Sequence, residues 1–146
     1  MVLLALGLLL TAPAPAQAEG GCAPLNNTVV RERFEVWNQA LQSGDPEQVA
    51  DLYSADALLL PTLSSQPRRS HAAIADYFRD FLARGPQGRI DSRSIELGCN
   101  QALDAGTYSF RLADGSRVAA RYTFVYVFRD GQWQIRHHHS SLQPAG

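Results

Sequence analysis

Apolar positions recur every three or four residues between Asn26 and Ser43, at Val29, Val30, Phe34, Trp37, Ala40 and Leu41, and this spacing predicts an amphipathic helix. Asn26 or Asn27 can cap its start and Gly44 its end. Asp45 and Pro46 then supply an N-cap and a first helical residue for a short second helix running to about Tyr53. Ala57 to Pro61 reads as a short buried strand, and Thr62 to Arg69 as a polar loop around Pro67. Ser70 can cap a third helix, Ala72 to about Arg84, with Ile74, Tyr77, Phe78, Phe81 and Leu82 on one face and Gly85-Pro86 ending it. Beyond Gly88 the period falls to two, so Arg89 to Leu97, Ala102 to Leu112, Ser116 to Phe128 and Gln132 to Ser141 read as strands. The Asp114-Gly115 and Asp130-Gly131 pairs between them are hairpin turn chemistry. Tyr122, Phe124, Tyr126 and Phe128 share one face of the third of these strands, opposite Arg121, Thr123, Val125 and Val127; a face so aromatic must pack against the helices. The expected fold class is α+β, three N-terminal helices packed on a curved antiparallel sheet, with the concave sheet face as the working surface.

Residues Val2 to Leu10 are an apolar run, followed by Pro13, Pro15 and the small-x-small pattern Ala16-Gln17-Ala18, which together predict a secretion signal cleaved after Ala18. A membrane-spanning helix needs roughly 20 apolar residues, about twice what this run offers. No Lys or Arg precedes the run, which implies an atypical signal or an upstream start codon. Glu19-Gly20-Gly21 before Cys22 does not resemble a lipoprotein box, so the expected product is soluble and periplasmic or secreted, without membrane attachment after cleavage. The expected organisation is a signal peptide at 1–18, an N-terminal extension at 19–26 and one domain at 27–143. An oxidising compartment favours a disulfide between Cys22 and Cys99, the two cysteines of the chain. The formal net charge is −1 and every basic residue is an arginine, scattered from Arg31 to Arg136; without a basic stripe, neither nucleic acid nor an anionic membrane is an expected partner.

The close of the chain is its most specific feature: Phe128-Arg129-Asp130-Gly131-Gln132-Trp133-Gln134, then His137-His138-His139-Ser140-Ser141. It resembles the end of the calcium/calmodulin-dependent protein kinase II association domain, with its Arg-Asp-Gly turn, Trp-Gln pair and His-x-His-x-Ser tail. Trp37-Asn38 through Gly44-Asp45 to Tyr53 and Asp56 is similar to that family's first two helices. Exported bacterial members of the SgcJ/EcaC and SnoaL-like type look closer still, through Arg121-Tyr122-Thr123-Phe124-Val125-Tyr126 and the Gly98-Cys99-Asn100 turn. The resemblance implies the cone-shaped nuclear transport factor 2-like, or cystatin-like, fold, in which a bent sheet wraps the first helix and leaves a pocket. It also implies an oligomerising domain with no kinase and no calmodulin binding of its own. At the positions of the kinase hub's pocket arginines this chain has Phe124 and Ser140, so recognition of small carboxylates does not transfer.

Candidate ligand-binding residues are Tyr53, Arg121, Tyr126, His137, His138 and His139. Side chains alternate along a strand, so His137 and His139 point one way and His138 the other. A His-x-His pair can hold zinc if a third ligand approaches, but no Cys, His or carboxylate has a diagnostic spacing, and neither a metal nor a cofactor is expected. Arg121 is either an anion clamp near His137 and His139 or half of an ion pair across an interface. Enzymes on this cone use a carboxylate in an apolar pocket, which makes Asp56, with Tyr53, Tyr126 and His138, the acid/base candidates; Asp56 is equally placed to cap a turn, and the tyrosines to be core aromatics. The expected function is a homo-oligomer, with itself as partner, that holds a small apolar or weakly acidic molecule in its cone. An isomerase, cyclase or hydratase using Asp56 or His138 is the alternative, and assembly through the outer sheet face a third reading.

Overall fold

The computed structural model describes residues 21–146, so the expected signal peptide lies outside the described residues. The element order is α1 (Asn27–Ser43), α2 (Pro46–Ala50), β1 (Tyr53–Leu60), α3 (His71–Leu82), β2 (Gln87–Gly98), β3 (Gln101–Arg111), β4 (Arg117–Arg129) and β5 (Gln132–Leu142). Local signals set these bounds as the sequence implies. Asn26 accepts a hydrogen bond from the Val29 N–H at the start of α1, and Gly44 closes it in the left-handed region. Asp45 caps α2 ahead of Pro46, and Ser70 caps α3. Both Asp-Gly pairs form hairpin turns, Asp130 and Gly131 each with positive φ.

Two expectations about β1 need correction. It begins at Tyr53, where the sequence pattern has the second helix still running, because α2 stops at Ala50 and the Tyr53 side chain is drawn into the core; tertiary packing overrides local propensity here. The sheet is also mixed rather than wholly antiparallel. Its order is β1-β5-β4-β3-β2, and β1 pairs parallel to β5, since the β4–β5 hairpin sends β5 in the direction β1 already takes.

One face of this sheet packs on the helices. Phe34 and Trp37 of α1 and Ile74 and Phe78 of α3 meet Tyr108 and Phe110 of β3 and Tyr122, Phe124 and Tyr126 of β4 in a single buried cluster. The register is interrupted in three of the four strand pairings. Arg136 is an extra residue in β5 between the Val125–His137 and Tyr126–Ile135 pairs, and this bulge lets Ile135 and His138, an odd number of residues apart, both point inward. On β2 the register shifts between Ile90 and Ser92, and the backbone there crosses Gly106 so closely that a Cβ would collide with the Ser92 carbonyl.

The disulfide joins Cys22 to Cys99 across 77 residues of chain, and Ala23 N donates to Asn100 Oδ1 at 2.7 Å beside it. The segment before α1 is thereby fixed to the β2–β3 turn. In the chain-entropy treatment a loop of this length contributes about 4 kcal/mol. Urea unfolding of Cys22→Ser is expected to lose stability of that order, and an unchanged midpoint would show that the bond contributes nothing.

Candidate functional site

Inside the cone the polar side chains form a chain of hydrogen bonds. Trp37 Nε1 donates to Tyr53 Oη at 3.1 Å, and Tyr53 Oη lies 2.8 Å from His138 Nδ1. On the other side of the ring, Tyr108 Oη is 3.2 Å from His138 Nε2 and donates to Ser140 Oγ at 2.5 Å. Ser140 in turn meets Thr62 Oγ1 from the segment after β1.

The proton positions follow from counting donors. Tyr53 Oη already accepts from the indole, so its own hydrogen must go to Nδ1, the only remaining acceptor it touches among the described residues. His138 is then the Nε2–H tautomer, which donates to Tyr108 and leaves that hydroxyl free to donate to Ser140. Every member is neutral. Burial, followed by the nearby His137 and His139, pushes the His138 pKa down to about 3, and burial raises the Tyr53 and Tyr108 hydroxyls.

The hollow expected around this chain is filled. The space lined by Trp37, Leu59, Phe78, Phe81, Tyr108 and His138 has a cavity volume of about 10 Å³, room for a single water at most. Phe124, standing where the resemblance places a hub arginine, stacks on His138 with ring centroids 4.0 Å apart. The larger clefts lie outside the cone. Two of them, about 270 and 240 Å³, flank the 61–70 segment.

The six candidate ligand residues do not form one site. Tyr53 and His138 belong to the buried chain. Tyr126 is buried with its Oη unpartnered. Arg121 and His139 are exposed and His137 half-buried on the opposite, outer face, where Arg121 pairs in register with Ser141, beside the Thr123–His139 pair.

Asp56 is not at a helix end but exposed in β1, where Arg129 Nη1 and Arg136 Nε reach it at 2.9 and 3.1 Å. It ties β1 to the β5 bulge. The Ser54 hydroxyl, then Arg129, holds its carboxyl below the usual range, the reverse of what a general base in an apolar pocket needs.

The carboxyl that burial does raise is Asp104, which the sequence reading missed. Its fully buried side chain takes Arg93 Nε at 3.1 Å and the Tyr122 hydroxyl at 2.8 Å. Arg93 itself lies over the Phe34 ring, 5.8 Å from its centroid. This is a sealed ion pair in the wall under α1, and a polar residue at an inward strand position was the one signal that could have revealed it.

Unfolding returns His138 to an ordinary value near 6.5, so between pH 6.5 and about 3 the unfolded chain binds a proton that the folded chain refuses. Its contribution is complete above pH 6.5 and is lost as pH falls toward 3, on the order of 5 kcal/mol in all. Replacing it, as in His138→Phe, is expected to flatten the acid limb of stability against pH. A His138 ring that titrates near 6.5 in the folded protein, followed by NMR, would contradict the buried chain.

The geometry agrees with the relatives. The family description "calcium/calmodulin dependent protein kinase II association domain" matches residues 27–144. A Xanthomonas campestris structure that provisionally carries the same name is 43% identical, with a TM-score of 0.79, over 88% of this chain and 99% of that one. An uncharacterized Caulobacter vibrioides protein with a cystatin-like fold has 18% identity and a TM-score of 0.67, over 80% of this chain and 89% of its own. A Streptomyces avermitilis protein of the NTF2-like family, provisionally named a dehydratase, has 16% identity and a TM-score of 0.69, over 80% of this chain and 94% of its own. The last two likenesses concern the fold alone. No curated protein matches the chain. With its cone, its closing strands and this coverage, the chain belongs to the calcium/calmodulin dependent protein kinase II association domain family, on the NTF2-like fold.

Proposed function

We propose that the protein is an exported, self-associating domain whose copies join through the outer face of the sheet. One observation carries this reading: a row of three apolar side chains and one histidine crosses that face, and among the described residues no helix covers it. In register, Leu103, Val125, His137 and Leu58 stand side by side on β3, β4, β5 and β1, each only half-buried in the single chain, while the helices pack with the other face. Burying such a row is the main favourable term available to an association. The row runs without a break across four of the five strands. Export is supported by the Cys22–Cys99 bond, which fits an oxidising compartment. The family's description as an association domain agrees with an assembly role.

Val125→Glu puts a charge in the middle of the row without touching the core. Native mass spectrometry is expected to give an oligomer for the wild type and a monomer for this variant, with unchanged circular dichroism. A wild-type chain that is monomeric at micromolar concentration would end this reading.

Binding of a small molecule is a second reading, favoured by where the buried chain ends. It reaches the surface at Thr62, between the two clefts flanking the 61–70 segment. If Thr62 moves away from Ser140, the exposed lining is aromatic with neutral hydroxyls, so an apolar body with one uncharged polar tip suits it better than an acid. Removing the latch with Thr62→Val is expected to increase the perturbation of the His138 ring by phenol in NMR titration. No perturbation in either protein would remove this reading.

A further inference from the structure

The thirteen arginines are scattered in sequence, yet the sheet gathers three of them. Arg89 of β2, Arg111 of β3 and Arg117 of β4 line one open cleft of about 400 Å³ beside the β3–β4 hairpin, together with Gln87 and Ser109. Arg111 and Arg117 are direct cross-strand partners. Like charges facing each other across a ladder are destabilising unless something neutralises them.

What the chain itself supplies is too little. Among the described residues Asp91 is the one carboxylate hydrogen-bonded to this group. It receives Arg89 through Nε and Nη2 at 3.0 and 2.7 Å, and Arg117 Nη2 stands at 3.4 Å from both of its oxygens. Arg117 also donates to Ser109 Oγ at 2.8 Å. Among the described residues Arg111 has only the neutral Gln87 Oε1, at 2.8 Å. One carboxylate among three guanidinium groups leaves two positive charges converging on a concave surface. The free donors are planar forks, the geometry that grips oxyanions bidentately.

We propose that this cleft binds a small oxyanion carrying two negative charges, seated between the Arg111 and Arg117 guanidinium groups with Ser109 and Gln87 at its edge. Either a phosphate group or a dicarboxylate meets that description. The charge matches the excess, and its arrival relieves the Arg111–Arg117 repulsion that the free protein carries. The site differs from the cone in every respect: it is open, cationic and on the other face of the sheet. It is eight residues along β3 from Leu103, about 27 Å, so the apolar row can be covered while the cleft stays open.

The test is isothermal titration of the mature protein with inorganic phosphate and, separately, with succinate, each against chloride at constant ionic strength. Wild type is compared with the Arg111→Gln/Arg117→Gln double variant, and the oligomer mass is recorded in the same samples. Saturable binding is expected for at least one of the two anions, weaker by about tenfold or more in the double variant, since two charge-assisted forks are lost. The probe that binds names the ligand geometry. Because the double variant removes a repulsion, its thermal midpoint without anion is expected to equal or exceed the wild-type value, which separates loss of binding from loss of folding. No saturable binding of either anion, or binding that survives unchanged in the double variant, overturns the site.

Discussion

Trp37 is the side chain around which the rest of this molecule is arranged. It sits on α1 with 1% of its surface exposed, and the rings of Phe34, Phe78, Tyr108, Phe110, Phe124 and His138 lie within 6.4 Å of it, centroid to centroid. Aromatic surface on this scale dominates core energetics, and it can be buried only if the sheet curls around the helix. Its one polar atom needs a partner, and Tyr53 provides it from the strand at the sheet's edge. That requirement fixes where β1 begins. It also starts the hydrogen-bond chain that orients His138 and ends at Thr62, so the packing of one helix and the polar order of the interior are the same constraint.

Buried polar groups are costly unless all their partners are present. Beside the unpartnered Tyr126 hydroxyl, this cone contains two such systems, set apart by chemistry. The Tyr53–His138–Tyr108–Ser140 chain is neutral throughout and is satisfied by hydroxyls. The Asp104–Arg93–Tyr122 group is ionic and is satisfied by charge. A buried ion pair is weak evidence for stability but specifies one arrangement of its elements; Arg93 and Asp104 hold β2 against β3 directly beneath Phe34 of α1. The interior therefore reads as a fully committed core. The surfaces still free to work are the outer sheet face, the arginine cleft at its hairpin end and the segment covering Ser140.

Much of this was legible in the residues. The capping signals of α1, α2 and α3, both Asp-Gly hairpins, the inward face of Tyr122, Phe124 and Tyr126 and the opposed directions of His137 and His138 all follow from local periodicity, because each depends on neighbours close in sequence. What was not legible depends on distant strands. Tyr53 looked like a helix end because its real determinant is an indole sixteen residues back and an imidazole in the last strand. Asp56 looked like a capping or catalytic residue, whereas Arg129 and Arg136 claim it across the β1–β5 pairing. The cone was expected to be hollow, and no pattern along one strand reveals that Phe124 and His138 stack across two. The three arginines of the cleft come from three strands and look dispersed until the sheet is assembled.

A core committed to packing and an outer face left for contacts is the central claim, and Trp37 reports on it directly. Its indole N–H is held by Tyr53 in a space without free volume, so its hydrogen exchange should proceed only through global unfolding and match the stability measured with denaturant. Exchange of that proton through a small local opening, far below the global value, would mean that the cone breathes or stands open, and the interior would again be the working surface.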